Sequence, residues 1–194
     1  MKVLILTDQE LIAQYLLGDE RAFEELLKRH QQKIYTTIYL FVKDQDLADD
    51  IFQEVFIKII DTLRRGKYNH EGKFVQWAMR IAYNMCVDYF RRNKRKPTMA
   101  IHSDEFDIFN VIALAEDSVE ERIMKSQTHE KIRQLVDQLP DEQKEVVVLR
   151  HYADMSFKEI AALTRVSINT SLGRMRYALI NIRRMIEEKE IILQ

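Results

Sequence analysis

The residues best suited to chemistry lie near the carboxyl end of the chain, where polar and basic side chains recur at helical spacing. Asn169, Thr170 and Arg174 carry amide, hydroxyl and guanidinium groups, which are the donors and acceptors that base edges in a major groove require. The basic side chains around them are better placed to contact phosphates, which fix register without reading sequence. The candidate DNA-binding residues of this segment are Lys158, Arg165, Ser167, Asn169, Thr170, Arg174 and Arg176.

Two helices must position these groups. Ser156 followed by Glu159 is a capping box that begins the first helix, residues 165–167 supply a turn, and Ser167 is a suitable N-cap for the second helix. Ala161 is small enough to let the helices cross closely. The pattern predicts a helix-turn-helix, with a packed helical hairpin as the alternative. The predicted buried face of the second helix consists of Ile168, Leu172, Met175 and Leu179.

An acidic stripe occupies one face of an earlier predicted helix, opposite the apolar Ala48, Ile51, Phe52, Val55 and Ile59. Such a stripe is a solvated face, a divalent-metal site or a docking surface for a basic partner. A metal site is disfavoured because metals need converging oxygen atoms from more than one element, and no second carboxylate cluster lies nearby. The stripe consists of Asp46, Asp49, Asp50, Gln53 and Glu54.

A basic and aromatic segment follows Gly72. Arg80, Asn84 and Asp88 recur every four residues on one face of a predicted helix, and Asp88 can pair with Arg92 at the i,i+4 spacing. Trp77 belongs either to the core, which is the usual fate of aromatic residues at helical spacing, or to a binding surface.

Composition and charge limit the possible folds. The 194 residues include only 4 Gly and 2 Pro, too few for the turns of a many-stranded fold, so the sequence predicts an all-α protein. The net charge is −1, but residues 62–97 hold ten basic and two acidic residues, whereas residues 98–121 hold seven acidic and no basic residues. A single Cys and the lack of a membrane-length apolar run favour a soluble, cytoplasmic protein.

Three motifs together resemble a known family. Residues 139–176 resemble region 4 of sigma-70 family RNA polymerase sigma factors, and residues 46–56 resemble the polymerase-binding part of region 2. Residues 77–92 resemble the helix that reads the promoter's minus-ten element. The likeness covers residues 8–97 and 127–187 and points to the short extracytoplasmic-function (ECF) class, which keeps only regions 2 and 4.

The resemblance implies two small helical domains, residues 1–97 and 127–194, joined by an acidic linker over residues 98–126. It implies that the acidic stripe binds core RNA polymerase, that the helix-turn-helix reads the minus-thirty-five element, and that the first domain melts and reads the minus-ten element. Aromatic and basic side chains suit unpaired bases, and the loop of residues 67–73 would capture a flipped base. The implied minus-ten residues are Tyr68, Asn69, His70, Lys73, Trp77, Arg80, Asn84, Arg91 and Arg92.

The linker is either a solvated tether or a segment that covers basic walls of the polymerase channels. An anti-sigma factor is a further possible partner under the resemblance. Three positions depart from the family pattern. Arg165 stands where the family often has Gly, and Ser171 replaces a β-branched apolar residue. Gly173 replaces a residue of higher helix propensity. Gly173 permits close approach either of DNA or of a neighbouring helix.

Two other functions compete with a sigma factor. A helix-turn-helix regulator would need a first domain that senses a ligand or dimerises, and a palindromic site. An enzyme is disfavoured because the five His residues are scattered singly and no Gly-rich phosphate loop occurs. We therefore expect a protein without catalytic residues, metal, cofactor, small-molecule substrate or membrane insertion.

Overall fold

A computed structural model describes residues 6–69, 72–92, 131–132 and 134–189. These residues form helices and no strand, which confirms the all-α prediction. The chain divides into two compact units, an amino-terminal unit of Met1–Thr98 and a carboxy-terminal unit of Met99–Gln194. The acidic linker and His70 lie outside the described residues. None of the described helices combines the length and the hydropathy that a membrane span requires.

The described residues of the amino-terminal unit form four helices, α1 (Asp8–Leu16), α2 (Glu20–Val42), α3 (Gln45–Arg64) and α4 (Phe74–Arg92). Short polar side chains define where the first three begin. Thr7 and Glu10 form a capping box at α1, Asp19 caps α2, and Asp44 caps α3 by accepting from the Leu47 amide.

Helix α2 is central in this unit because it packs against α1, α3 and α4. Its core side chains Leu26, Ile34 and Ile38 are almost fully buried, as are Ile59 of α3 and Met79 of α4. Burial of each such side chain contributes roughly 1.5–3 kcal/mol. The apolar faces of α3 and α4 are thereby fixed inward, and their polar faces are left for solvent or partners.

The carboxy-terminal unit contains α5 (Asp141–His151), α6 (Phe157–Thr164) and α7 (Ile168–Glu188), and residues 134–137 are also helical. Helix α7 packs against both α5 and α6. The core includes Val146, Leu149 and Ile160. Side-chain hydrogen bonds join α7 to the segments before it. Asn181 donates to Gln143 at 2.8 Å, and Lys189, which follows α7, donates to Gln138 at 2.6 Å.

The predicted buried face of α7 was correct at Met175 and wrong at Ile168, Leu172 and Leu179. Ile168, Leu172 and Leu179 are 45%, 44% and 51% exposed, whereas Ser171, Met175 and Ala178 are buried. The buried face is rotated toward small residues, because α7 lies close to α6, where Ala161 is also buried. Close helix packing selects small side chains, which a pattern based on large apolar residues does not reveal.

Candidate functional site

The helix-turn-helix turn is built by local hydrogen bonds. Ser156 Oγ accepts from the Glu159 amide at 3.3 Å while Glu159 Oε2 accepts from the Ser156 amide at 2.8 Å, which confirms the predicted capping box. Arg165 ends α6 in the left-handed region with φ 58°. Ser167 Oγ then accepts from the Thr170 amide at 3.0 Å and begins α7. The non-Gly residue at Arg165 costs about 1–2 kcal/mol of backbone strain.

The face around this turn is polar and exposed. Lys158, Arg165, Ser167, Asn169, Thr170 and Arg176 are all exposed. The Thr170 hydroxyl lies 2.8 Å from Ser167 Oγ and therefore takes part in the cap, which leaves Asn169 as the first freely projecting amide of α7. Six of the seven predicted residues are thus exposed, on α6, on α7 or in the turn between them.

Arg174, the seventh, is engaged within the protein. One guanidinium nitrogen lies 3.6 Å from Glu145 Oε2, and the Arg174 side chain is only 25% exposed. It lines an open groove of about 410 Å³ between α5 and α7, together with Glu142, Thr170 and Gly173. A Cβ added at Gly173 would meet nothing within 4 Å, so no neighbouring helix requires glycine there.

The acidic stripe is exposed along α3, as predicted. Asp46, Asp49, Asp50, Gln53 and Glu54 face outward, while Ala48, Ile51, Val55 and Ile59 are buried. Phe52 is only half-buried; its ring lies 5.6 Å from Tyr35 and 4.8 Å from Phe56. No cluster of three or more metal-ligating side chains occurs among the described residues.

Asp49, a member of the stripe, has a neighbour on α2. The Tyr35 hydroxyl donates to it, and burial together with this carboxylate raises the pKa of Tyr35. The stripe continues into a groove of about 340 Å³ between α3 and α4, lined by Asp50 and Glu54 on one side and Asp88 and Arg92 on the other.

The predicted Asp88 to Arg92 pair does not form. Asp88 instead accepts from Arg91 at 3.0 Å, three residues away, and Arg92 lines the groove that faces Asp50 and Glu54. The i,i+3 and i,i+4 spacings both place side chains on the same helix face, so the sequence alone does not decide which arginine pairs with Asp88. Arg92 thus borders the acidic stripe as well as the basic face of α4.

A cluster of three rings supports the loop before α4. The Tyr68 ring lies 4.3 Å from Trp77 and 6.2 Å from Phe74, and Phe74 lies 5.8 Å from Trp77. Phe74 is a core residue with 2% exposure, whereas Tyr68 and Trp77 are half-buried. Trp77 is thus part of neither a closed core nor a fully open surface.

Basic and amide side chains extend this cluster along α4. Arg80, Asn84 and Arg91 are exposed and lie on the same helical face as Lys73 and Trp77, and Asn69 is exposed in the preceding loop. The structure therefore brings most of the predicted minus-ten residues together as one aromatic and basic surface; Arg92 lies at its edge, and His70 lies outside the described residues.

Sequence reasoning missed an ionic cluster next to these rings. Asp8 Oδ1 lies 2.8 Å from an Arg29 nitrogen, and Asp8 Oδ2 lies 2.8 Å from His30 Nε2. The His30 ring is 5.5 Å from Phe74. Burial lowers the pKa of His30, and the Asp8 carboxylate opposes that shift. The 22-residue separation of Asp8 and His30 leaves no local signal in the sequence.

Two family models match successive parts of the chain. The sigma-70 region 2 model matches residues 26–96, which include the acidic stripe and the aromatic and basic surface. The sigma-70 region 4 model matches residues 129–172, which include α5, α6 and the start of α7. An ECF RNA polymerase sigma-E factor of Escherichia coli strain K12 is 32% identical over 178 residues, covering 88% of this chain and 89% of the relative.

The chain belongs to the ECF class of sigma-70 family RNA polymerase sigma factors. The sigma factor is also 29% identical over 171 residues to the RNA polymerase sigma-H factor of Pseudomonas aeruginosa, covering 87% of this chain and 88% of the relative.

Solved structures share the fold of this sigma factor. One is CnrH in complex with the cytosolic domain of CnrY, with a TM-score of 0.59, 23% identity, and coverage of 93% of this chain and 97% of that chain. Another is the sigma factor RpoE in complex with the anti-sigma factor NepR from Bartonella quintana, with a TM-score of 0.58, 15% identity, and coverage of 85% and 96%. At these identities the likeness shows the fold.

Proposed function

We propose that this sigma factor is a non-catalytic, cytoplasmic specificity subunit that binds core RNA polymerase and directs it to promoters with particular minus-ten and minus-thirty-five elements. The observation that carries the proposal is the surface of α4, where the half-buried Tyr68 and Trp77 rings adjoin the exposed Arg80 and Asn84. Exposed aromatic edges next to basic and amide groups suit unpaired bases rather than a closed duplex.

The minus-ten function follows from this surface. Stacking of a base on an aromatic ring is worth about 1–3 kcal/mol, which helps to offset the cost of separating a base pair. The exposed Arg91 and Lys73 would contact the backbone of the displaced strand, and Asn69 of the loop would bind a flipped base. We assign promoter opening to Tyr68, Trp77 and the residues of this surface.

The minus-thirty-five function is assigned to the junction of α6 and α7. Asn169 presents an amide at the amino-terminal end of α7, where recognition helices contact base edges. Lys158, Arg165 and Arg176 are exposed around it and suit phosphate contacts. Arg174 takes part from the groove, where Glu145 orients its guanidinium.

Polymerase binding is assigned to the acidic stripe. Its carboxylates project from one face of α3, and the opposite face of that helix is anchored in the core by Ile51, Val55 and Ile59. A rigid helix that presents several charges at fixed spacing suits a basic partner surface, and electrostatic complementarity of this kind favours rapid and specific association.

An anti-sigma factor is proposed as a second protein partner. The proposal rests on the solved relative RpoE, which is in complex with the anti-sigma factor NepR. A tagged chain is purified from its native cells, and the fractions that contain no core polymerase subunits are searched for a bound protein. Such a partner would support the proposal.

Run-off transcription tests the central proposal. The purified chain is expected to bind promoter DNA weakly alone and to direct specific run-off transcripts after it is mixed with core polymerase. Tight promoter binding that core polymerase does not change would instead indicate a conventional helix-turn-helix regulator. Charge reversal at Asp50 and Glu54 should abolish the transcripts without changing the helical content of the chain.

A further inference from the structure

Asp8 joins the first helix of the sigma factor to the second. It lies in the first turn of α1, and its two carboxylate oxygens bind different side chains of α2, Arg29 and His30, each at 2.8 Å. Arg29 also donates to the Leu6 carbonyl at 3.0 Å, which fixes the chain just before α1. A neutral His30 uses its Nε2 proton for the bond to Asp8, so the orientation of the imidazole ring is set by α1.

The oriented His30 ring in turn contacts the aromatic cluster. Its centroid lies 5.5 Å from that of Phe74, a separation typical of packed ring pairs. Phe74 is almost fully buried and contacts both Tyr68 and Trp77, the two rings of the proposed minus-ten surface. Burial and, to a smaller extent, the charge of the Asp8 carboxylate raise the pKa of the Tyr68 hydroxyl.

We propose that Asp8 and His30 are positioning residues for promoter opening, which act through Phe74 to hold Tyr68 and Trp77 in the arrangement that accepts unpaired bases. The inference rests on the minus-ten function proposed for those two rings. It assigns to α1, which lies outside the region 2 match of residues 26–96, a role in the organisation of the minus-ten surface.

The charges around His30 fit a positioning role. Asp8 approaches from α1, Arg29 and Lys33 lie on α2, and Tyr68 lies in the loop before α4. Burial is the main cause that lowers the pKa of His30, Asp8 opposes the shift, and Arg29 and Lys33 add to it. At neutral pH the ring therefore stays neutral and hydrogen-bonded, which suits a fixed support for Phe74 better than a mobile or exchanging charge.

Trp77 is the single tryptophan of the chain and reports directly on the cluster. The experiment compares full-length wild type with Asp8→Asn and with His30→Phe, which keeps a ring against Phe74 but removes the bond to Asp8. The control is Glu24→Gln, which breaks the exposed 2.7 Å pair of Glu24 with Lys28 on the same helix. Tryptophan emission is measured on the free chain, and promoter opening is measured with reconstituted holoenzyme and a fluorescent base analogue in the minus-ten element.

We expect both variants to shift Trp77 emission to longer wavelength and to slow promoter opening about tenfold, the effect of weakening one stacked base. Core polymerase affinity and helical content should match those of wild type and Glu24→Gln. Asp8→Asn conserves size, and it carries the test if His30→Phe fails to fold. Wild-type emission and wild-type opening in a folded Asp8→Asn variant would overturn the inference.

Trp77→Ala separates this inference from the function on which it rests. If Trp77→Ala slows opening and the Asp8 and His30 variants do not, only the positioning role is wrong. If Trp77→Ala opens promoters at the wild-type rate, the proposed function of the rings fails, and the positioning role fails with it.

Discussion

The Arg174 guanidinium of α7 lies 3.6 Å from the Glu145 carboxylate of α5, across the groove that begins at the first turns of α7. The side chains are 25% and 23% exposed, so the pair is partly shielded from solvent but open at the groove mouth. Such a pair holds the guanidinium in one direction and leaves its other donors for a ligand that enters the groove.

Replacement of Arg174 should change the sequence preference of the holoenzyme. Arg174→Ala is expected to cost about 1–3 kcal/mol of promoter binding and to relax the preference at one position of the minus-thirty-five element. Arg176→Ala, on the exposed face of α7, should weaken binding uniformly across sequences and reduce its salt dependence. Competition binding with a set of single-base promoter variants measures both effects; equal losses on all variants for Arg174→Ala would contradict base reading.

Charge reversal on the acidic stripe should weaken polymerase binding. Asp50→Lys with Glu54→Lys removes two exposed carboxylates from the middle of α3 and places like charges against a basic partner. Affinity for core polymerase should fall at least tenfold, and the loss should diminish at high salt because salt screens exposed charges. Glu20→Lys with Glu24→Lys, at two exposed positions of α2, is the charge-matched control. An equal loss in that variant would show that net charge, rather than the stripe, decides binding.

Acid should destabilise the amino-terminal unit through His30. Burial lowers its pKa from the ordinary value of 6.5, so just below pH 6.5 the unfolded chain binds a proton that the folded chain does not. The free energy of unfolding should therefore fall as the pH decreases through 6.5, until the lower folded pKa is reached. Urea titrations of wild type and His30→Phe between pH 7.5 and about 5 measure this dependence, which should be smaller in the variant.

Carboxylates act in a separate, more acidic window. Hydrogen bonds from Thr7 lower the pKa of Glu10, and Lys28 lowers that of Glu24, both from 4.5. The contributions of these two carboxylates to the free energy of unfolding are present above pH 4.5 and are lost as the pH falls below that value. An identical pH dependence of wild type and His30→Phe above pH 5 would show that His30 is not the group responsible.

Replacement of two serines near the start of α7, Ser167 and Ser171, should have opposite effects on stability. Ser171 is fully buried, and its hydroxyl has no hydrogen-bond partner, so Ser171→Ala should stabilise the carboxy-terminal unit by about 1 kcal/mol. Ser167 caps α7 by accepting from the Thr170 amide, so Ser167→Ala should destabilise it by about 1 kcal/mol. Thermal unfolding of both full-length variants measures the difference; a loss of stability in Ser171→Ala would mean that the hydroxyl is satisfied.

The sequence by itself determined the features that depend on neighbours a few residues apart. The capping boxes at Thr7 and Ser156 and the cap at Ser167 follow from side chains that reach amides three residues away. The exposed acidic stripe of α3 follows from helical periodicity. The large apolar residues of α3 recur on one face, which faces the core, so the acidic residues lie on the opposite face. Scarce Gly and Pro were enough to indicate an all-α chain.

Only the tertiary structure decided which faces meet and which side chains pair at a distance. The rotation of α7 toward Ser171 and Ala178 depends on how closely the neighbouring helices approach, and Arg174 meets Glu145 only after α5 and α7 have packed. The contact of Asp8 with His30 likewise requires α1 to lie against α2. Helical periodicity fixes which residues share a face, but pairing between elements depends on packing geometry, because many partners of suitable chemistry are available to each side chain.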